Sequence, residues 1–142
     1  MLKISARNQI EGEIKEVREG SVNAVVVICS NHHNLIKADI TMESVKSLGL
    51  EAGKKVLAVI KATNVMFATE KITGLSARNQ IEGTITSVKE GAVNGHVTIE
   101  DEWGTKVSGS ITNESIESLG LKEGGKAVAV IKATDVMVAV ED

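Results

Sequence analysis

The 142-residue sequence contains no proline and no tyrosine, and only one phenylalanine, one tryptophan and one cysteine. With aromatics at 1% and hydrophobic residues at 42%, any core it builds must be aliphatic, made of Val, Ile, Leu and Ala. The lone Cys29 excludes an internal disulfide and has no companions for a metal site. Single-stranded nucleic-acid binding needs stacking aromatics and a basic groove; Phe67 and Trp103 are the only rings of that kind, so this reading ranks last. Net charge is −3, with Lys and Arg scattered rather than clustered, which leaves no basic patch to name a partner. No apolar run approaches membrane-spanning length, and Met1-Leu2-Lys3 leads straight on without a signal-peptide core, so a cytoplasmic protein with no membrane partner is expected. Gly-rich phosphate loops, catalytic triads and metal clusters are also missing, and no enzyme is expected.

What is present is a repeat. Ser5-Ala6-Arg7-Asn8-Gln9-Ile10-Glu11-Gly12 returns letter for letter at Ser76-Ala77-Arg78-Asn79-Gln80-Ile81-Glu82-Gly83, and the same offset runs without a gap from Ile4/Leu75 to Glu70/Glu141. The chain is two copies of one module, 4–70 and 75–141, joined by the short linker 71–74. Each copy is near the lower size limit for burying enough apolar surface alone. A linker this short keeps the modules together, packed on each other.

Within a copy, Ile10, Gly12 and Ile14 alternate as a half-buried strand does, to about Val17. Glu19-Gly20-Ser21 supplies a turn, with glycine available for positive φ. Val22 to Cys29 is rich in β-branched residues and reads as a second strand, and the polar loop 30–34 leads to a third at Leu35 to Ile40. Thr41 suits a helix N-cap, Val45 and Leu48 share a face, and Gly49 suits the C-terminal stop; Thr112, Ser115, Leu119 and Gly120 repeat the pattern. Strands follow at Val56–Lys61 and at Val65 to about Thr69. The fold class expected is mainly β: two OB-like five-stranded barrels in tandem, each β-β-β-α-β-β, with a β-sandwich as the alternative. Residues 29–39 share no identity with 100–110, which marks that stretch as free to vary and a poor place for a shared site. Val25–Ile28 and Val56–Ile60 are apolar at consecutive positions, so both faces are expected to be buried, by the other module or another chain, and an oligomer is expected.

The polar residues held identical between copies are Ser5, Arg7, Asn8, Asn23, Thr41, Ser44, Lys61 and Thr63, with Ser76, Arg78, Asn79, Asn94, Thr112, Ser115, Lys132 and Thr134. A fully deprotonated tetrahedral oxyanion offers only acceptors, so its site wants N–H and O–H donors and positive charge, and one Arg with one Lys balances a dianion. The helix starting at Thr41 adds free backbone N–H groups. Phosphate, which keeps a proton near neutral pH, would favour a carboxylate in its site; Glu43 and Glu114 are the nearby ones. The plainer reading stands beside this and is favoured on spacing alone: Thr41 and Ser44 cap a helix, Arg7 and Lys61 are solvated, and Gly20 to Asn23 is only a turn. His32 and His33 project oppositely from adjacent positions, and the second copy has Trp103 and Gly104 instead, so a loop is expected rather than a metal site. Cys29, His96, Met66 and Met137 read as strand or core residues.

Four stretches in fixed order carry a resemblance: Ser-Ala-Arg-Asn at 5–8 and 76–79, Lys-Glu-Gly-Ala-Val-Asn at Lys89–Asn94, Thr-x-Glu-Ser at Thr41 and Thr112, and Val-Ile-Lys-Ala-Thr-Asp-Val-Met at Val130–Met137. Together they resemble the Mop domain of molbindins, twice over and across essentially the whole chain. The resemblance implies tandem Mop domains in an intracellular protein that stores or buffers molybdate, accepts tungstate, needs no cofactor and assembles as a homotrimer. It places one class of site between modules: Ser5 and Arg7 from one with Thr41, Ser44, Lys61, Ala62 and Thr63 from another, and likewise Ser76 and Arg78 with Thr112, Ser115, Lys132, Ala133 and Thr134. A second class, on a three-fold axis, falls at Gly20, Ser21, Val22 and Asn23 and at Gly91, Ala92, Val93 and Asn94. The first copy's Ser21 and its histidine-bearing loop depart from the second copy and bear on that second class. The alternative implied is a regulatory or interaction module that acts with a DNA-binding or transporter ATPase partner.

Overall fold

The computed structural model describes residues 2–30 and 33–141. The first copy folds as β1 (Asn8–Glu19), β2 (Asn23–Ser30), β3 (Asn34–Thr41), α1 (Met42–Leu48), β4 (Lys55–Ile60), a 3-10 turn (Ala62–Asn64) and β5 (Met66–Ala68). The second repeats it as β6 (Asn79–Glu90), β7 (Asn94–Glu100), β8 (Lys106–Thr112), α2 (Asn113–Ser118), β9 (Lys126–Ile131), a 3-10 turn (Ala133–Asp135) and β10 (Met137–Ala139). This is the expected order in each copy, and the fold is mainly β and OB-like. Each long first strand serves two neighbours. β1 pairs with β4 through its first half, Asn8↔Ile60 to Glu13↔Lys55, and with β2 from Glu13↔Cys29 to Glu19↔Ala24, across a bulge between Ile14 and Glu16. Gly12 lies at that crossing, where a Cβ would stand 2.8 Å from the Cys29 carbonyl oxygen, so β1 turns from one partner to the other only with glycine there.

The fifth strand departs from the expectation that a copy closes its own barrel. The two five-stranded sheets run β10-β4-β1-β2-β3 and β5-β9-β6-β7-β8, so each copy lends its last strand to the other. The 3-10 turns redirect the chain: Ala62–Asn64 packs against β8 and Ala133–Asp135 against β3. The exchanged strands meet different cores. Phe67 of β5 lies over Gly109 of β8, where an added Cβ would fall 2.4 Å from the ring; the equivalent positions in the other sheet are Val138 and Ala38.

The cores of both halves merge into one aliphatic cluster containing Ile14, Ile28 and Ile60 beside Ile85, Ile99 and Ile131. β4 is buried on both faces, as its unbroken apolar run implies. One face joins the main core, while Leu57 and Val59 pack with Ala6, Leu2 and Ala139, so β4's second face is covered from within the chain and gives no argument for another chain. The capping expectations for α1 hold: the Thr41 side chain accepts from the Ser44 N–H, and Gly49 takes the left-handed conformation at φ 63°. Gly20 and Gly91 differ from the expected role. Neither has positive φ; each is needed because a Cβ would come within 2.6 Å and 2.7 Å of the Asn23 and Asn94 carbonyl oxygens respectively.

Candidate anion site

Register builds the site. Asn8 pairs with Ile60 and Asn79 with Ile131, so the residue just before each first strand lies beside the residue just after each fourth strand: Arg7 by Lys61, Arg78 by Lys132. The segment carrying Ser5 and Arg7 is pinned by two neighbouring side chains on opposite faces of β1. Gln9 brackets Leu2, accepting from its N–H at 2.8 Å and donating to its carbonyl at 3.1 Å. Asn8, 4% exposed, donates to the Ser108 carbonyl and accepts from the Ser108 N–H, both at 2.8 Å. The second copy does the same with Gln80 around Ile72 and Asn79 around Lys37. Asn8 and Asn79, grouped above with the donors for an anion, are therefore engaged in stitching the halves together.

In one half this brings Ser76, Ala77, Arg78, Lys132, Ala133 and Thr134 around a single cavity of about 290 Å³, closed by Asp39, Met66 and Leu75. Within one chain, serine, arginine and the Lys-Ala-Thr turn thus stand together at the edge of one sheet, and the first copy contributes Asp39 of β3 and Met66 of β5. Thr41 and Ser44, and Thr112 and Ser115, do not line that cavity. The Thr41 hydroxyl donates to Ser44 Oγ at 2.9 Å and accepts from the Ser44 N–H at 3.1 Å, with the same two distances at Thr112 and Ser115. Glu43 and Glu114 are exposed in the first helical turns, outside the cavity. The carboxylate that reaches it is Asp39, held by a 3.2 Å hydrogen bond from Asn23 Nδ2 to its Oδ1. Sequence reasoning passed over Asp39 because it lies in the stretch where the copies differ; its place on the face of β3 shared with Thr41 was the available signal.

Arg7, Lys61, Arg78 and Lys132 are exposed, and none of them has a hydrogen bond or ion pair to any described residue. Four cations left unpaired, two beside each first strand, can attract an anion from solvent without first breaking a salt bridge. The turns Gly20–Asn23 and Gly91–Asn94 are exposed and tightly closed, Gly20 N–H to the Asn23 carbonyl and Gly91 N–H to the Asn94 carbonyl at 2.9 Å each. They present Val22 and Val93 at 73% and 70% exposure, the largest among the described large hydrophobic residues.

The differing hairpin loops meet each other. His33 stacks on Trp103 with ring centroids 4.6 Å apart, Asn34 Nδ2 donates to Asp101 Oδ2, and the Ser30 and Thr105 hydroxyls lie 3.4 Å apart. The loops that differ between the copies thus make one head-to-head contact between unlike side chains; His32 lies outside the described residues. Among the described residues no group of three or more His, Cys, Asp or Glu is placed to hold a metal ion, and no helix is long and apolar enough to cross a membrane.

Fold and site together define a tandem OB-like protein with matched cationic edges. The chain belongs to the TOBE-domain family, whose model matches residues 4–67 and 75–138, and its relatives are molbindin-type proteins. It is similar to the molybdenum transport protein ModE of Azotobacter vinelandii, 40% identical over 98% of this chain and 52% of that protein, so the chain spans about half the length of such relatives. A probable molybdenum-pterin-binding protein of Haemophilus influenzae is 45% identical over 49% of this chain and all of that one. In three dimensions it is similar to the cytoplasmic molybdate-binding protein ModG solved with molybdate bound, at a TM-score of 0.94 and 44% identity, covering 99% of this chain and 100% of that one.

Proposed function

We propose that the protein binds molybdate in the cytoplasm and stores or buffers it, accepting tungstate in the same sites, with no cofactor and no catalytic step. The observation that carries this reading is the pairing of Arg7 with Lys61 and of Arg78 with Lys132, unpaired cations set among Ser and Thr hydroxyls by strand register. Two cations balance a dianion, and N–H and O–H donors suit a ligand that only accepts. The likeness to ModG over its whole length supports the same ligand class. Thr41, Ser44, Thr112 and Ser115 would join these sites, as would Ser5, Ala62 and Thr63, when modules of neighbouring chains meet. The exposed Val22 and Val93 support association through the turns Gly20–Asn23 and Gly91–Asn94, in a homotrimer with a second class of site on its axis.

Titration calorimetry with molybdate, sulfate and phosphate, run with light-scattering mass, tests this. Tight heat with molybdate above the other two and a trimer mass are expected; no molybdate heat, or equal affinity for all three, would overturn it. Arg7→Ala with Arg78→Ala should lower affinity by about tenfold or more at unchanged thermal stability, since each charge-assisted contact contributes roughly 1.5–3 kcal/mol.

A second reading, a regulatory module, is favoured by the match to about half of ModE. Co-purification with a stoichiometric DNA-binding or ATPase partner would select it.

A further inference from the structure

The two cationic edges are alike in Arg, Lys, Ser and Thr and unlike in the strand residue that faces them. Asp39 of β3 lines the cavity of Arg78 and Lys132. Its counterpart on β8, the strand that packs against the Ala62–Asn64 turn as β3 packs against Ala133–Asp135, is Ser110. The cross-strand neighbours differ as well: Asp39 stands opposite Val25, and Ser110 opposite the exposed His96. Asp39 is half-buried and pairs with neither Arg78 nor Lys132; Asn23 takes its Oδ1, and no described residue donates to its Oδ2. An acceptor-only group thus stands at the wall of a cavity whose other polar side chains can all donate.

Resting on the molybdate reading above, we propose that the halves are specialised for different protonation states of a tetrahedral oxyanion. The Arg7–Lys61–Ser110 edge takes the fully deprotonated dianion, and the Asp39–Arg78–Lys132 edge takes an oxyanion that retains a proton, of the hydrogenphosphate class. Deprotonated molybdate offers acceptors only, so against Asp39 it meets a like charge and makes no bond. An O–H on the ligand turns the same carboxylate into a partner, in a charge-assisted hydrogen bond. Selection of this kind works by leaving the wrong ligand's group unpaired. The duplication therefore yields two sites of different selectivity, and the difference falls in the stretch where the copies diverge.

The test is calorimetry on the full chain at neutral pH with sodium molybdate, alone and in competition with sodium phosphate. Apart from the sites on the three-fold axis, the two cationic edges of the wild type should give two molybdate classes separated by on the order of tenfold or more, with phosphate displacing only the weaker. Asp39→Ser should merge the classes into the tighter one and abolish phosphate competition. Ser110→Asp should do the reverse and open a second phosphate-sensitive class, which keeps the idea testable if the first variant folds poorly. Unchanged molybdate classes and unchanged phosphate competition in folded Asp39→Ser or Ser110→Asp protein would overturn the specialisation and leave the general reading standing. No molybdate heat in the wild type would overturn both.

Discussion

A primary amide has the donor and acceptor arrangement of a peptide unit, and Asn8 and Asn79 use theirs against a strand of the other half. Each makes a reciprocal pair with one residue's backbone, Asn8 with Ser108 and Asn79 with Lys37. Removing the amide strands a peptide N–H and carbonyl in a half-buried seam. Asn79→Ala is therefore expected to cost about 1–3 kcal/mol, read from the midpoint of urea unfolding at unchanged slope. Both asparagines were legible in the sequence as polar residues kept in both copies, but not as structural ones, because a side chain's partner across the fold leaves no trace in local spacing. The cations were legible for the opposite reason: a repeat retains what both copies need. Asp39 escaped because a search for shared residues discards the position where two sites differ.

At the scale of elements, strand order and the cap of α1 could be read from alternation, from Thr41 and from Gly49. The partner of β5 could not, since Met66–Ala68 has the same local pattern whichever sheet it joins. The core records the choice in volume: Phe67 fits over Gly109, and Val138 with Ala38 fills the matching place. Gly109→Ala should cost about 1–3 kcal/mol through overpacking against the ring. Adding Phe67→Val, which copies the other half's pairing, should recover most of it; thermal unfolding of the single and double variants measures both. Exchange also predicts where damage travels. Met137, Val138 and Ala139 pair with Val59, Ala58 and Leu57, so Val138→Asp should speed amide hydrogen exchange in β4 while β9, nearer in sequence, keeps its protection. Loss of protection in β9 alone would contradict the exchanged topology.

For the whole molecule, reciprocal strand exchange, asparagine stitches in both directions and one merged core make the chain a single cooperative unit whose sheets each draw on both copies. The tandem repeat was plain from the sequence; the interdependence was not, because two barrels closed on themselves and two barrels closed on each other have the same pattern of apolar letters. The short tether at 71–74 gives the exchange a further consequence. Separate halves would have to find one another by diffusion, so their pairing would weaken as the protein became scarce. Joined, each half sees its mate at an effective concentration on the order of millimolar, whatever the abundance of the chain. The cationic edges formed along that seam thus survive dilution, and each chain keeps its own share of that geometry whatever its abundance.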